Sequence, residues 1–219
     1  RHAIVGLDTR TSGLVDELCA ADERVADRFR ATCGLPISTY FSALKLRWLI
    51  RHVPKVAAAV ADGRALFGTM ETWLLWNLSG GTEGGVHATD VTNASRTMLM
   101  DLRSCEWHEP TCETLGVPRA VLPEIRSCSE VYGTLASTAL AGVPIAGMLG
   151  DQSAAMLGQC AFEVGSSKCT YGTGAFLLMT VGGEVVDSNH GLLSTVSFKL
   201  GPDAPVVYAL EGGVACAGR

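Results

Sequence analysis

The chain reads as an α/β protein. Three features point there. Apolar residues recur at helical spacing over much of Leu14 to Leu78, short extended apolar runs separate the later helical segments, and a strand-like run gives way to helix formers at Gly150-Asp151. Beyond Gly158 the pattern changes to short strands punctuated by glycine. With 219 residues, 47% of them hydrophobic and 18% charged, the chain can bury a sizeable core and is not a disordered polymer.

In chain order, Ala3 to Leu7 is expected to end a strand, with Asp8 to Ser12 turning into a helix. Leu14, Val15, Leu18, Val25 and Phe29 carry that helical period to Cys33, and Gly34 stops it. A second helix is expected over Phe41 to His52, with Phe41, Leu44, Trp48 and Leu49 on one face and Lys45, Arg47 and Arg51 toward solvent. Pro54 opens a shorter helix that Asp62-Gly63 ends, and Thr69 to Leu78 forms another, closed by Gly80-Gly81. A Thr-rich polar loop follows, then a strand-like run over Met98 to Leu102, a short helix from Pro110 to Gly116, and extended pieces at Leu122 to Ile125 and Ser129 to Gly133. Val143 to Gly150 is expected to be a central strand, with Pro144 at its start, and Asp151 to cap the helix that follows. The remaining strands are expected at Cys169–Tyr171, Phe176–Thr180, Glu184–Val186, Leu193–Phe198 and Val206–Ala209. The turn to polar composition at Phe162 to Ser166 marks a domain boundary, giving 1–161 and 162–219.

Composition excludes some classes of function. The net charge is −5 with both signs interleaved, which argues against a nucleic-acid surface or an anionic membrane surface. The apolar run Ala139 to Leu149 is too short, and too broken by Gly142, Pro144 and Gly147, to cross a bilayer. The 8 cysteines include no Cys-x-x-Cys pair, so reduced thiols in a cytoplasmic chain are expected rather than a zinc site or a disulfide framework. The sequence begins at Arg1 inside an apolar run and stops just after a run of small residues, so an internal segment of a longer protein is expected.

Candidates for chemistry are few. Asp151 stands where strand becomes helix, the place where open α/β sheets gather ligands, although an Asp there also serves as a plain cap. Gly172-Thr173-Gly174 offers a small loop through which a backbone can approach an anion, or a simple hairpin turn. A carboxylate near a phosphate-holding loop suits phosphoryl transfer, which needs a base for a hydroxyl and electrostatic cover for phosphates. Tyr40 and Phe176 could wall a small polyol or belong to the core. Asn93, Ser95 and Arg96 suit a buried polar network as well as a binding role. The histidines have no metal-ligand spacing, and no metal ligands are assigned.

A set of segments taken together resembles one family. YFSALKLRWLIRH from Tyr40, LFGTMETWLLWNLSGG, DVTNASRTML, LPEIRSCSEVYG, GDQSAAMLGQ, TYGTGAFLL, HGLLSTV and YALEG follow in the order and spacing of the FGGY carbohydrate kinases, above all of members that phosphorylate glycerol. The resemblance implies two actin-like (ribonuclease H-like) α/β domains facing a cleft, with 1–161 as the later part of the first and 162–219 as the truncated start of the second, ATP-binding one. It implies transfer of a phosphoryl group from ATP to glycerol with Mg²⁺, Asp151 acting as general base. Tyr40, Asp151, Gln152 and Phe176 would bind glycerol, and Gly172, Thr173 and Gly174 the nucleotide phosphates. Where the family carries a tryptophan that stacks on glycerol, this chain has Gly6. The family's N-terminal phosphate loop and its Arg-Glu pair would lie before Arg1 and its adenosine pocket after Arg219, so the segment alone is expected not to turn over ATP. Another sugar kinase of the family and a kinase-like binding module without activity stay open, as does a homo-oligomer.

Overall fold

A computed structural model describes residues 3–20, 26–137, 139–214 and 216–218. The helices in chain order are α1 (Ser12–Cys19), α2 (Arg30–Cys33), α3 (Ser42–His52), α4 (Pro54–Ala61), α5 (Met70–Leu78), α6 (Val91–Ala94), α7 (Glu109–Leu115) and α8 (Asp151–Gly158). The strands are β1 (Ala88–Asp90), β2 (Glu124–Arg126), β3 (Gly133–Thr134), β4 (Pro144–Ile145), β5 (Ser167–Tyr171), β6 (Ala175–Gly182), β7 (Leu193–Phe198) and β8 (Val207–Val214). They fall into two compact units, Arg1–Thr69 with Ala94–Pro123, and Met70–Asn93 with Glu124–Arg219.

The first unit is helical. Leu14, Phe29, Leu35, Phe41, Leu44, Leu99, Met100 and Leu115 fill its core, each at most 6% exposed, and burial of such side chains contributes about 1.5–3 kcal/mol apiece. Gly34 ends α2 in the left-handed conformation, its N–H donating to the Arg30 carbonyl at 2.8 Å. Pro54 stands at the start of α4, as expected. Four expectations fail here. Ala3 to Leu7 forms no strand, because the carbonyls of Val5 and Gly6 accept hydrogen bonds from the Lys45 ammonium at 2.7 and 3.2 Å instead of joining a ladder. Met98, Leu99, Met100 and Leu102 are buried, but Met98 turns at a φ of 71° and only an isolated bridge, Met100 with Trp107, is made. Lys45 and Arg47, assigned to solvent by helical spacing, are 7% and 8% exposed, because loop carbonyls lie over Lys45 and the Thr114 carbonyl of α7 and Glu17 over Arg47. The helix expected from Leu14 to Cys33 is not continuous either, since α1 ends at Cys19 and residues 26–29 form turns before α2, while Val25 lies outside the described residues.

The second unit holds the sheets. β1 and β2 pair in parallel, with Ala88 opposite Glu124, and α5 packs Leu75 beside Ala88, Tyr132 and Met148. Val143 to Gly150 is not a central strand. Only Pro144 and Ile145 pair, with Thr134 and Gly133, and the chain then turns inward so that the Met148 N–H donates to the Cys128 carbonyl at 3.0 Å. β5 to β8 form an antiparallel sheet in the order β5-β6-β8-β7. Against it lies α8, whose Met156 packs with Ala161, Leu178 and Ala209. Glu184 to Val186 is loop, since β6 bulges between Thr180 and Gly182 and Gly182, at a φ of 96°, leads the chain out of the sheet. Among the described residues no helix is long and apolar enough to cross a membrane. The cysteines of the described residues are free, with Cys33, Cys112 and Cys128 buried and Cys160, Cys169 and Cys216 exposed.

Candidate active site

Asp151 is the first residue of α8, and the cap is Gly150, in extended conformation. The expected capping role is therefore corrected, because the chain enters the helix one residue earlier. The Asp151 carboxylate is exposed at the positive end of the helix, accepting the Gln152 backbone N–H at 2.8 Å and the Gln152 side-chain amide at 3.3 Å.

A buried polar network fixes the approach to that helix. Gly150 donates its N–H to the Thr92 hydroxyl oxygen at 2.8 Å, and the same hydroxyl donates to the Asp90 carboxylate. Asp90 also accepts the Thr92 N–H at 2.8 Å and the Asn93 amide at 2.7 Å, while the Cys128 thiol lies 3.4 Å away. Fully buried, Asp90 has its carboxyl pushed above the usual range by loss of water, with the Thr92 and Asn93 hydrogen bonds pulling the other way. Asn93 thus belongs to a structural network at the entrance to α8.

Gln152 meets a lysine. The Lys168 ammonium on β5 donates to the Gln152 side-chain oxygen, to the Thr170 hydroxyl at 3.0 Å and to the Phe176 carbonyl at 3.4 Å. Lys168 is 2% exposed, and desolvation lowers its pKa, with Glu211 and Asp151 acting in the opposite sense. Phe176, half-buried on β6, packs against the Met156 cluster. Asp151, Gln152 and Phe176 are thus tied together around one ammonium.

Gly172 to Gly174 is the turn of the hairpin joining β5 to β6, closed by Tyr171 opposite Ala175 and by the Gly172 N–H to the Gly174 carbonyl at 2.7 Å. Neither glycine is in the left-handed region, so the expected conformational demand is absent. Space is tight at Gly218 instead, since a Cβ on Gly172 would meet only an ordinary contact, 3.8 Å from the Gly174 carbonyl oxygen. A Cβ on Gly218 would lie 2.3 Å from the Gly172 carbonyl oxygen, and Ala217 and Gly218 donate to the Thr173 carbonyl at 2.8 and 3.2 Å. Thr173 itself is exposed.

Tyr40 belongs to the other unit. Its ring is 45% exposed and packs edge-on against Phe41. A Cβ on Gly6 would stand 3.1 Å from this ring, so position 6 faces Tyr40. Lys45 holds the two together, donating to the carbonyls of Val5, Gly6 and Tyr40, the last at 3.0 Å. Desolvation lowers the Lys45 pKa, and the nearby Asp8 raises it.

Sequence reasoning assigned no role to Lys168, Lys45 or Asp90. The available signal for Lys168 was alternation: in a strand it shares a face with Thr170, and that face is the inner one.

The N-terminal domain of the FGGY family of carbohydrate kinases matches residues 1–158. The chain belongs to the FGGY family. Its fold is the α/β, actin-like ATPase fold of that family. It is 55% identical over 217 residues to a glycerol kinase of Brucella anthropi, covering 99% of this chain and 43% of that protein. A glycerol kinase of Leifsonia xyli subsp. xyli is 53% identical over 218 residues, with 99% and 42% covered. A crystal structure of Plasmodium falciparum glycerol kinase with ADP superposes with a TM-score of 0.93 at 41% identity, covering 100% of this FGGY chain and 43% of that one. The chain therefore spans less than half the length of these relatives.

Proposed function

We propose that this chain is part of a glycerol kinase that transfers the terminal phosphoryl group of ATP to glycerol, giving sn-glycerol 3-phosphate and ADP. One observation carries the reading: an exposed Asp151 opens α8 beside a Gln152 anchored by a buried lysine, in a chain 55% identical to a glycerol kinase. Asp151 accepts the proton of the terminal hydroxyl as its oxygen attacks the γ-phosphorus, and the bond to the β–γ bridging oxygen breaks to release ADP. Gln152 and Tyr40 hydrogen-bond glycerol, and Phe176 lines its carbon chain. The backbone of Gly172, Thr173 and Gly174 receives the nucleotide phosphates.

Among the described residues no cluster of His, Cys, Asp or Glu could cage a metal ion. Mg²⁺ fits this reading as an ion carried by the nucleotide and largely hydrated, as is usual for that metal. The free thiols suit a cytoplasmic enzyme. The reading assigns 1–161 to the N-terminal FGGY domain and 162–219 to the start of the second, and the family match over residues 1–158 supports that boundary.

Gly6 favours a second reading, a kinase-like binding protein, because position 6 offers no ring to a ligand beside Tyr40. The test is ADP release by the complete protein with glycerol, other polyols and pentuloses. Glycerol is expected to be the preferred acceptor. Preference for a pentulose would transfer the chain to another FGGY kinase, and no release with any acceptor would favour the binding protein.

A further inference from the structure

We infer that Lys168 is a positioning residue for the acceptor alcohol: its ammonium sets which way the Gln152 amide points, and so places the amide nitrogen beside the Asp151 carboxylate. The inference rests on the glycerol-kinase reading and adds a residue to it. An amide side chain can present either end, but a lysine ammonium only donates. With Lys168 donating to the Gln152 oxygen, the Gln152 nitrogen is the end that faces Asp151, 3.3 Å from the carboxylate. One amide hydrogen goes to the base, and the other is directed to a hydroxyl next to it. The substrate hydroxyl held by Gln152 is then the one within reach of Asp151.

The anchor is built from several elements. The ammonium joins Gln152 of α8, Thr170 of β5 and the Phe176 carbonyl of β6, and the side chain is 2% exposed. A buried ammonium is costly to desolvate unless it is paired and hydrogen-bonded. Retaining a charge there makes sense if its donors orient something. The neighbouring Glu211 and Asp151 favour the charged form.

The test uses the complete protein and compares Lys168→Met, Gln152→Ala and the double variant. Lys168→Met is expected to raise the glycerol KM about tenfold, the scale of a lost hydrogen bond that orients a substrate. The ATP KM should change less than twofold. In the Gln152→Ala background the lysine change should add less than twofold to the glycerol KM, a non-additivity that a merely structural lysine would not show. Thr170→Val, which removes one anchor of the ammonium, should move the glycerol KM the same way by a smaller factor, and it stands in if Lys168→Met does not fold. An active parent whose glycerol KM stays within twofold in both Lys168→Met and Thr170→Val overturns the positioning role alone. Additive effects in the double variant do the same. A parent without glycerol-dependent ADP release overturns the glycerol reading, and the inference with it.

Discussion

Each of the two units buries one lysine beside a residue proposed to touch glycerol, and the two are used differently. Lys45, on a helix, gives its ammonium to the backbone carbonyls of Val5, Gly6 and Tyr40. Lys168, on a strand, gives its ammonium mainly to side chains, those of Gln152 and Thr170. The first holds main chain that has no regular secondary structure of its own, so it fixes where a ring can stand. The second leaves the backbone to the sheet and fixes how one amide is turned. Losing the first anchor frees a stretch of main chain, whereas losing the second frees an amide to turn. The contrast separates a lysine that stabilises from one that orients.

The largest effect expected from that contrast is on stability. Lys45→Met should lower it by about 2 kcal/mol, the scale for losing hydrogen bonds from a charged donor. Urea unfolding checks this, and an unchanged midpoint would break the comparison by showing that Lys45 does not hold residues 5 and 6. Next comes Gly6→Trp in the complete protein. The new Cβ would stand 3.1 Å from Tyr40, whose exposed side chain must give by a few tenths of an ångström to admit it, and the ring extends from there. Tightening of glycerol by about tenfold, roughly 1.4 kcal/mol, is expected, and an unchanged glycerol KM would show that position 6 is not a wall of the pocket.

A further effect is confined to alkaline solution. Burial pushes the Cys33 and Cys112 thiols up from 9.0 to about 11. The unfolded chain loses these protons first, so it binds fewer protons than the folded one, and stability should fall as pH rises from about 9 to 11. The urea midpoint should drop across that window, and Cys112→Ala should flatten the drop. A midpoint independent of pH there would contradict the burial of these thiols in the first unit.

Much of this was legible in the sequence. Gly34, Pro54, Gly116 and the hairpin strands announce themselves through local chemistry, so the end of α2 and the whole of α4, α7, β5 and β7 fall close to where periodicity and breakers put them. Misread segments share a cause. Ala3 to Leu7, Met98 to Leu102 and most of Val143 to Gly150 are apolar and buried or anchored, yet each is satisfied by a side chain or a turn rather than by a neighbouring strand, and a run of letters does not say who the partner is. The same holds for the site. Asp151 and the Gly172–Gly174 turn were visible as punctuation, and Gln152 and Tyr40 through family motifs. Lys45, Lys168 and Asp90 were not, because helical or strand spacing assigns a charged residue to the surface unless the distant groups that neutralise it are known.

The central claim is that Asp151 takes the proton of the attacking hydroxyl, and Asp151→Asn in the complete protein tests it most directly. Turnover should fall by about 10²- to 10⁴-fold, the range for loss of a positioned general base, while glycerol measured by calorimetric titration still binds with an affinity close to that of the parent. Turnover equal to that of the parent would contradict the assignment and remove Asp151 from the chemistry.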